Sequence, residues 1–110
     1  MRDAYTAILV QAEEWSGYSE SEPYEAPWAS EAVIFLRLLD NTSTQGGLEA
    51  RVQISPDGIH WVDEGTTVAI PAGDEVTFAR VREFGQYLRL VATLPEGVRC
   101  VLHATASLKS

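Results

Sequence analysis

Apolar and polar residues alternate along the chain from residue 48 to residue 110, and turn residues separate the alternating runs. Successive side chains of an extended strand point to opposite faces, so each run predicts a strand with one buried and one solvated face. The apolar members of the last and longest run are Val98, Cys100, Leu102, Ala104, Ala106 and Leu108. Short alternating strands with turns between them are typical of an antiparallel β-sandwich.

Turn residues divide this part of the chain into short strands. The clearest turn runs from Pro56 to Gly58, because proline presets φ, the intervening aspartate caps the turn and glycine accepts a positive φ. The alternation slips near Arg80, which indicates a β-bulge in that strand. The strands predicted here span residues 48–55, 59–64, 66–70, 75–83, 86–94 and 98–108.

The last two strands are predicted to pair as a hairpin, because only the turn at residues 95–97 separates them. If Leu94 faces Val98, the register places Arg89 opposite His103 on the outer face of the sheet. A histidine and an arginine on an outer face are more typical of a solvated pair than of a catalytic base.

The first half of the chain contributes further strands, at residues 5–11 and 31–40. The second of these is apolar on both of its faces, which is typical of a central strand covered on both sides or of a buried helix. Its length and the flanking turns favour the strand, and residues 41–47 are predicted to be a loop. Eight or nine short strands in total predict an all-β, jelly-roll-like sandwich that forms one domain over residues 1–110.

Residues 12–30 differ from the rest of the chain, since large aromatic residues alternate there with glutamates, serines and two prolines. Proline cannot donate to a central β-ladder, so we expect a long aromatic and acidic loop with at most one short edge strand near Tyr24. Long loops without regular structure are usually functional or disordered, and four large aromatic residues argue against disorder.

This segment holds the predicted partner-binding residues, because tryptophan and tyrosine anchor interfaces at a low entropic cost and glutamates can meet basic groups of a partner. The alternatives are that Trp15 and Trp28 cap the core, or that exposed aromatic rings stack on sugars. The candidate residues are Glu13, Glu14, Trp15, Tyr18, Tyr24 and Trp28.

The formal charge of −8 is unevenly distributed, since residues 1–31 carry −6 and residues 32–110 carry −2. Nucleic-acid binding and attraction to anionic lipid both require a basic surface, so neither partner is expected. The first residues contain no apolar signal segment, and no run approaches the ~18–20 apolar residues of a membrane span. We therefore expect a protein made in the cytoplasm.

The residues that carry chemistry are few. Cys100 is the only cysteine, which excludes an internal disulfide, and its apolar neighbours predict a buried, unreactive thiol. One cysteine and the isolated His60 and His103 do not form a zinc site, and no phosphate-binding glycine loop or nucleophile elbow occurs. Asp57 is better explained as the residue that caps the turn than as a calcium ligand. No metal, cofactor or catalytic residue is therefore predicted.

Two resemblances rest on the same part of the chain. Ser55, Asp57, Gly58 and Trp61 resemble the Asp box of sialidase-like propellers, Ser-x-Asp-x-Gly-x-x-Trp, although the residue between aspartate and glycine is missing. This resemblance implies a tight hairpin with the tryptophan packed on it. Residues 48–108, with this hairpin followed by a Tyr-Leu-Arg-Leu strand, resemble small β-sandwich modules of bacteriophage virion and tail proteins and of discoidin-like or carbohydrate-binding domains.

These observations predict a non-catalytic structural or interaction protein. The expected role is a subunit of a larger assembly such as a phage-like virion, where it would be a decoration or tail-associated protein. Its expected partners are other subunits of that assembly, including further copies of this chain. A carbohydrate-binding module with exposed tryptophan or tyrosine is the alternative. A cupin-like or acid-pair hydrolase is the least supported function, because this chain has too few histidines for a cupin site.

Overall fold

The computed structural model describes residues 4–39 and 44–110 and arranges them in antiparallel strands, with no helix among them. Residues 41–43 of the predicted loop lie outside the described residues. The strands are β1 (Ala4–Ser16), β2 (Tyr18–Glu20), β3 (Tyr24–Glu25), β4 (Glu31–Leu39), β5 (Glu49–Ser55), β6 (Val62–Ala69), β7 (Val76–Arg82), β8 (Tyr87–Thr93) and β9 (Arg99–Lys109).

Two sheets form the sandwich. The first sheet has the order β1-β9-β4-β7, and the second has the order β2-β8-β5-β6, with β3 also paired to β8. The pairing is nested along the chain: β1 pairs with β9, β2 and β3 with β8, β4 with β7, and β5 with β6. The predicted all-β antiparallel sandwich is therefore confirmed.

The predicted hairpin of the last two strands is wrong. β8 belongs to the second sheet and β9 to the first, so the turn at residues 95–97 carries the chain from one sheet to the other. The Leu94 N–H donates to the Gly17 carbonyl at 2.9 Å instead of continuing a hairpin ladder. Arg89 and His103 consequently lie in different sheets. An alternating pattern specifies which face of a strand is buried, but it does not specify the neighbouring strand.

One predicted bulge is displaced. The β4–β7 register runs without interruption from Glu31 opposite Arg82 to Arg37 opposite Val76, so there is no bulge near Arg80. The irregularity lies instead between β5 and β6, where the predicted strands at 59–64 and 66–70 merge into one. The merged strand contains Gly65, whose φ of 113° is accessible mainly to glycine.

The predicted long loop at residues 12–30 is wrong, whereas the short edge strand expected near Tyr24 is present as β3. β1 continues to Ser16 beside β9, passing register shifts near Val10, and β2 and β3 pair with β8. Ser21 bridges the gap between these short strands, since its N–H donates to the Leu90 carbonyl at 2.8 Å and its hydroxyl accepts from the Leu90 N–H at 2.9 Å. The prolines interrupt an edge strand, which is where a sheet tolerates them.

The core lies between the two sheets and follows the alternation read from the sequence. Every second residue of β9, from Cys100 to Leu108, is buried. Burial raises the pKa of the Cys100 thiol, as the prediction of an unreactive cysteine requires. Trp15, which leaves only 2% of its surface exposed, and Phe84 are the two largest fully buried side chains. Trp15 is therefore a core residue.

Trp15 and Trp28 provide a matched test of this packing. We expect Trp15→Ala to lower the free energy of unfolding by about 3–5 kcal/mol, because it leaves a large cavity between the sheets. Trp28 is 40% exposed, and Trp28→Ala is expected to cost about 1 kcal/mol or less. Denaturant unfolding followed by circular dichroism measures both values, and equal losses would contradict the assignment of Trp15 alone to the core.

Candidate functional site

The outer face of the first sheet carries large apolar side chains that the chain leaves uncovered. Ile8, Thr105, Phe35 and Phe78 lie side by side across its four strands in the β-sheet register. Phe35 is 41% exposed, and Ile8 and Phe78 are each 52% exposed. We call this surface the phenylalanine face. The solvated face of an antiparallel sheet is normally polar, so an exposed apolar row marks a candidate interaction site.

The two phenylalanines form the centre of the phenylalanine face. Their ring centroids are 6.2 Å apart, and the planes are tilted by 39°. The guanidinium of Arg80 lies 5.1 Å from the centroid of Phe78 and covers part of that ring. Shallow depressions flank this pair, one containing Arg37, Val76 and His103 and the other containing Val33, Arg80 and Arg82.

The charge of this face is opposite to that of the chain. The β-sheet register brings five basic and two acidic side chains onto it among the described residues, a formal +3, whereas the whole chain carries −8. These seven residues are Arg37, Arg80, Arg82, Arg99, Lys109, Glu31 and Glu14. A basic rim around an apolar centre favours a partner that is both apolar and acidic.

The outer face of the second sheet is covered by its own side chains. The guanidinium of Arg89 donates to the Gln53 Oε1 atom at 2.8 and 3.0 Å, and it lies 3.1 Å from the Glu20 carboxylate. The Gln53 amide donates to Asp63 at 2.9 Å, which extends this hydrogen-bonded network to β6. Trp61, predicted to pack on the hairpin, lies under Arg89, whose Cζ is 4.2 Å from the ring centroid.

The network reaches the predicted partner-binding residue Tyr18, whose hydroxyl donates to Glu20 at 3.0 Å. Partial burial and then this hydrogen bond raise the pKa of Tyr18. Val91, which the register places opposite Glu20, is completely buried although it belongs to the outward row of β8. The two outer faces therefore differ, since polar contacts cover the centre of the second sheet, whereas the centre of the first sheet exposes aromatic rings.

The structure separates the other predicted partner-binding residues. Trp15 is excluded from any docking surface, because it is enclosed between the sheets and no partner can reach it without opening the core. Glu13 and Glu14 lie exposed on β1 rather than in a loop. Tyr24 lies on β3, and Trp28 lies in the turn that follows it. The partner-binding role of these four residues stays a prediction.

Tyr24 and Trp28 meet Tyr5 and Ala4 in a shallow depression, which we call the aromatic groove. Tyr5 is 56% exposed and Tyr24 is half-buried. Partial burial raises the pKa of Tyr24, and the nearby Tyr5 raises it further. No sequence pattern indicates Tyr5 as a site residue, because it lies in an ordinary alternating strand far along the chain from Trp28.

The turn between β5 and β6 brings a serine, an aspartate and a histidine together, but not as a catalytic triad. The Asp57 carboxylate accepts from the Ser55 hydroxyl at 3.0 Å and lies 2.7 Å from the His60 Nδ1 atom. The Ser55 Oγ also accepts from the Gly58 N–H at 2.8 Å, and the residue is buried. In a triad the histidine lies between serine and aspartate, so this arrangement stabilises a turn instead.

Asp57 is the most strongly perturbed acid of the described residues. The backbone N–H of His60, then its ring, and then the backbone N–H of Ile59 donate to its carboxylate and hold its pKa far below the usual range. Within the same residues, no group of three or more His, Cys, Asp or Glu side chains could hold a metal ion. No helix long and apolar enough to cross a membrane is found among them.

Replacement of Asp57 by alanine is expected to lower Tm at neutral pH. Because the folded pKa is depressed, the stabilising effect is complete above the ordinary aspartate pKa of about 3.9 and is lost as the pH falls through the folded value. Thermal unfolding of wild type and variant should therefore show a Tm difference that shrinks below about pH 4. Asp74→Ala, in another turn, is the control, and a Tm difference that is undiminished at about pH 2 would contradict the assignment.

Comparison with known proteins adds a fold relative and a family. No curated protein matches the chain. The SPBc2 prophage-derived protein YomS is similar in structure, with a TM-score of 0.63 over 100% of this chain and 96% of that chain. Their sequences are 10% identical, so this similarity concerns the fold alone. A family model matches residues 32–97, more than half of the chain, and the protein therefore belongs to the family described as a domain of unknown function, DUF6385.

Proposed function

We propose that the protein is a non-catalytic structural subunit of a larger protein assembly, and that it binds a neighbouring subunit through the phenylalanine face. The observation that carries this proposal is the row formed by Ile8, Phe35 and Phe78, which crosses the first sheet and remains exposed. Covering about 100 Å² of such apolar surface contributes about 2.5 kcal/mol to association before entropic costs.

The contrast between the two outer faces supports this use of the first sheet. Both faces belong to the same small sandwich, yet only the second is closed by a network centred on Arg89. An exposed aromatic pair on a soluble protein favours aggregation unless a partner covers it. Coverage by a partner also explains why β4 is apolar on both faces, as the sequence indicates for a strand covered on both sides.

A phage-like virion is the assembly that we favour. The fold relative YomS is prophage-derived, and its similarity extends over the full length of this chain. In such a particle the protein would be a decoration or tail-associated protein, made in the cytoplasm and assembled there onto other subunits. The exposed residues of the first three strands, including Glu13, Glu14 and Tyr18, would provide a second contact.

A double variant tests the docking role. We expect Phe35→Ser with Phe78→Ser to change the free energy of unfolding by about 1 kcal/mol or less per site, because both side chains are largely exposed. We expect the same variant to be lost from particles assembled by co-expression with the neighbouring genes and purified on a density gradient. Immunoblotting of the particle fraction measures incorporation.

Ile59→Ser is the matched control for this variant, since Ile59 is 75% exposed but lies in the β5–β6 turn, away from the phenylalanine face. It should be incorporated as well as wild type. Equal incorporation of the double variant and the control would overturn the docking role of the face. Absence of the wild-type protein from every particle fraction would overturn the virion assignment.

The aromatic groove supports a second candidate function, carbohydrate binding. Tyr5, Tyr24 and Trp28 line one open depression, and such rings present flat apolar surfaces next to hydroxyl groups. Glycan titration should then quench the fluorescence of Trp28. The quenching should disappear in Trp28→Phe and persist in Trp61→Phe, whereas a flat response across a glycan array would remove this candidate.

A further inference from the structure

We propose that the partner on the phenylalanine face is a second copy of this chain, which contributes the acidic edge of its second sheet. We call this the glutamate edge, and it consists of Tyr18, Glu20, Glu22, Glu25 and Trp28. The inference rests on the proposed function, since it identifies the neighbouring subunit. It explains in one contact why the chain exposes both a basic apolar face and an acidic aromatic edge.

Charge complementarity is the first argument. The glutamate edge has three carboxylates, of which Glu20 is paired with Arg89 and Glu22 and Glu25 are exposed, and the phenylalanine face has a formal +3. Glu22 is exposed at the bend between β2 and β3. The arginines that surround the phenylalanine pair could then meet carboxylates of a neighbour, as complementary interfaces require.

Apolar complementarity is the second argument. Tyr18 is 56% exposed and Trp28 is 40% exposed, so the glutamate edge presents aromatic surface together with its charge. On the opposite side of the contact, Phe35 and Phe78 offer rings, and Val76 is 60% exposed beside them. Interfaces of this composition have an aromatic centre and a charged rim.

Pairing of two phenylalanine faces is disfavoured by the same charges. A two-fold axis brings identical patches together, so the same net positive charge would meet itself across the contact. The contact between face and edge is instead heterologous, because it joins two different surfaces. The resulting pair retains one unused face and one unused edge, so the association continues into a ring or an open chain.

The positions of the two surfaces make intramolecular contact impracticable and intermolecular contact straightforward. The glutamate edge lies along β2 and β3 at one border of the second sheet, next to β1. The phenylalanine face is centred on β4 and β7, at the other side of the first sheet, and it points away from the core. One copy therefore cannot fold its own edge onto its own face.

Light scattering coupled to size-exclusion chromatography tests the inference with the purified chain. Wild type is expected to form species larger than the monomer as concentration rises, and to dissociate in about 0.5 M salt because the contact is partly electrostatic. The face variant combines Phe78→Ser with Arg80→Glu, and the edge variant combines Glu22→Lys with Trp28→Ala. Each variant should raise the dissociation constant of self-association at least tenfold and elute as a monomer. Circular dichroism verifies that both are folded, and Arg80→Glu alone replaces the face variant if it is not.

The decisive sample is an equimolar mixture of the two variants. The intact edge of the face variant can occupy the intact face of the edge variant, and the remaining surfaces are defective. The mixture should therefore form a heterodimer of twice the monomer mass and no larger species. A heterodimer of that mass that dissociates when salt is added supports a heterologous contact.

Two results would overturn the inference. An edge variant that still dimerises alone would show pairing of like faces, and a wild-type chain that stays monomeric at every concentration and salt would show that the partner is another protein. Neither result affects the proposed function if wild type enters particles and the Phe35→Ser, Phe78→Ser variant does not. Absence of the wild-type protein from every particle fraction would overturn the virion assignment but not self-association, which chromatography measures separately.

Discussion

The position of β9 between β1 and β4 is the constraint on which the rest of the structure depends. Hydrogen bonds on both sides of β9 join the beginning, the middle and the end of the chain in one sheet. Its inward residues from Cys100 to Leu108 are buried, so the same strand also provides one wall of the core. Once β9 is central, β4 and β7 complete the first sheet and the phenylalanines of those strands are brought side by side.

The alternation of the sequence was sufficient to predict the class of fold, the buried face of most strands and the buried Cys100. It was insufficient to predict which strands are neighbours in a sheet, because the alternation specifies only the buried face of a strand. That is why β8 and β9 were paired incorrectly. The segment at residues 12–30 was misread for another reason, since Pro23 and Pro27 exclude a central strand but not the short edge strands that the chain forms beside β8.

The partner-binding role of the residues named from the sequence stays a prediction, and the structure shows which of them are accessible. Tyr18, Tyr24 and Trp28 are exposed at least in part, whereas Trp15 is buried, and no feature of the local sequence distinguishes the two tryptophans. The phenylalanine face was missed although its signal was present, because apolar residues on both faces of β4 were attributed to a strand buried within its own chain. A strand that is apolar on both faces needs cover on both, and a second molecule can provide it.

The burial of Trp15 gives the nearby surface residues a rigid support. Trp15 is enclosed in the core, and only Ser16 and Gly17 separate it from the exposed Tyr18. Farther along, the two hydrogen bonds between Ser21 and Leu90 hold the bend that presents Glu22. A surface attached in this way loses little conformational entropy when it binds, so a larger fraction of the interaction energy appears as affinity. Trp15 is not itself on the docking surface. It therefore contributes to docking by positioning the exposed residues that are.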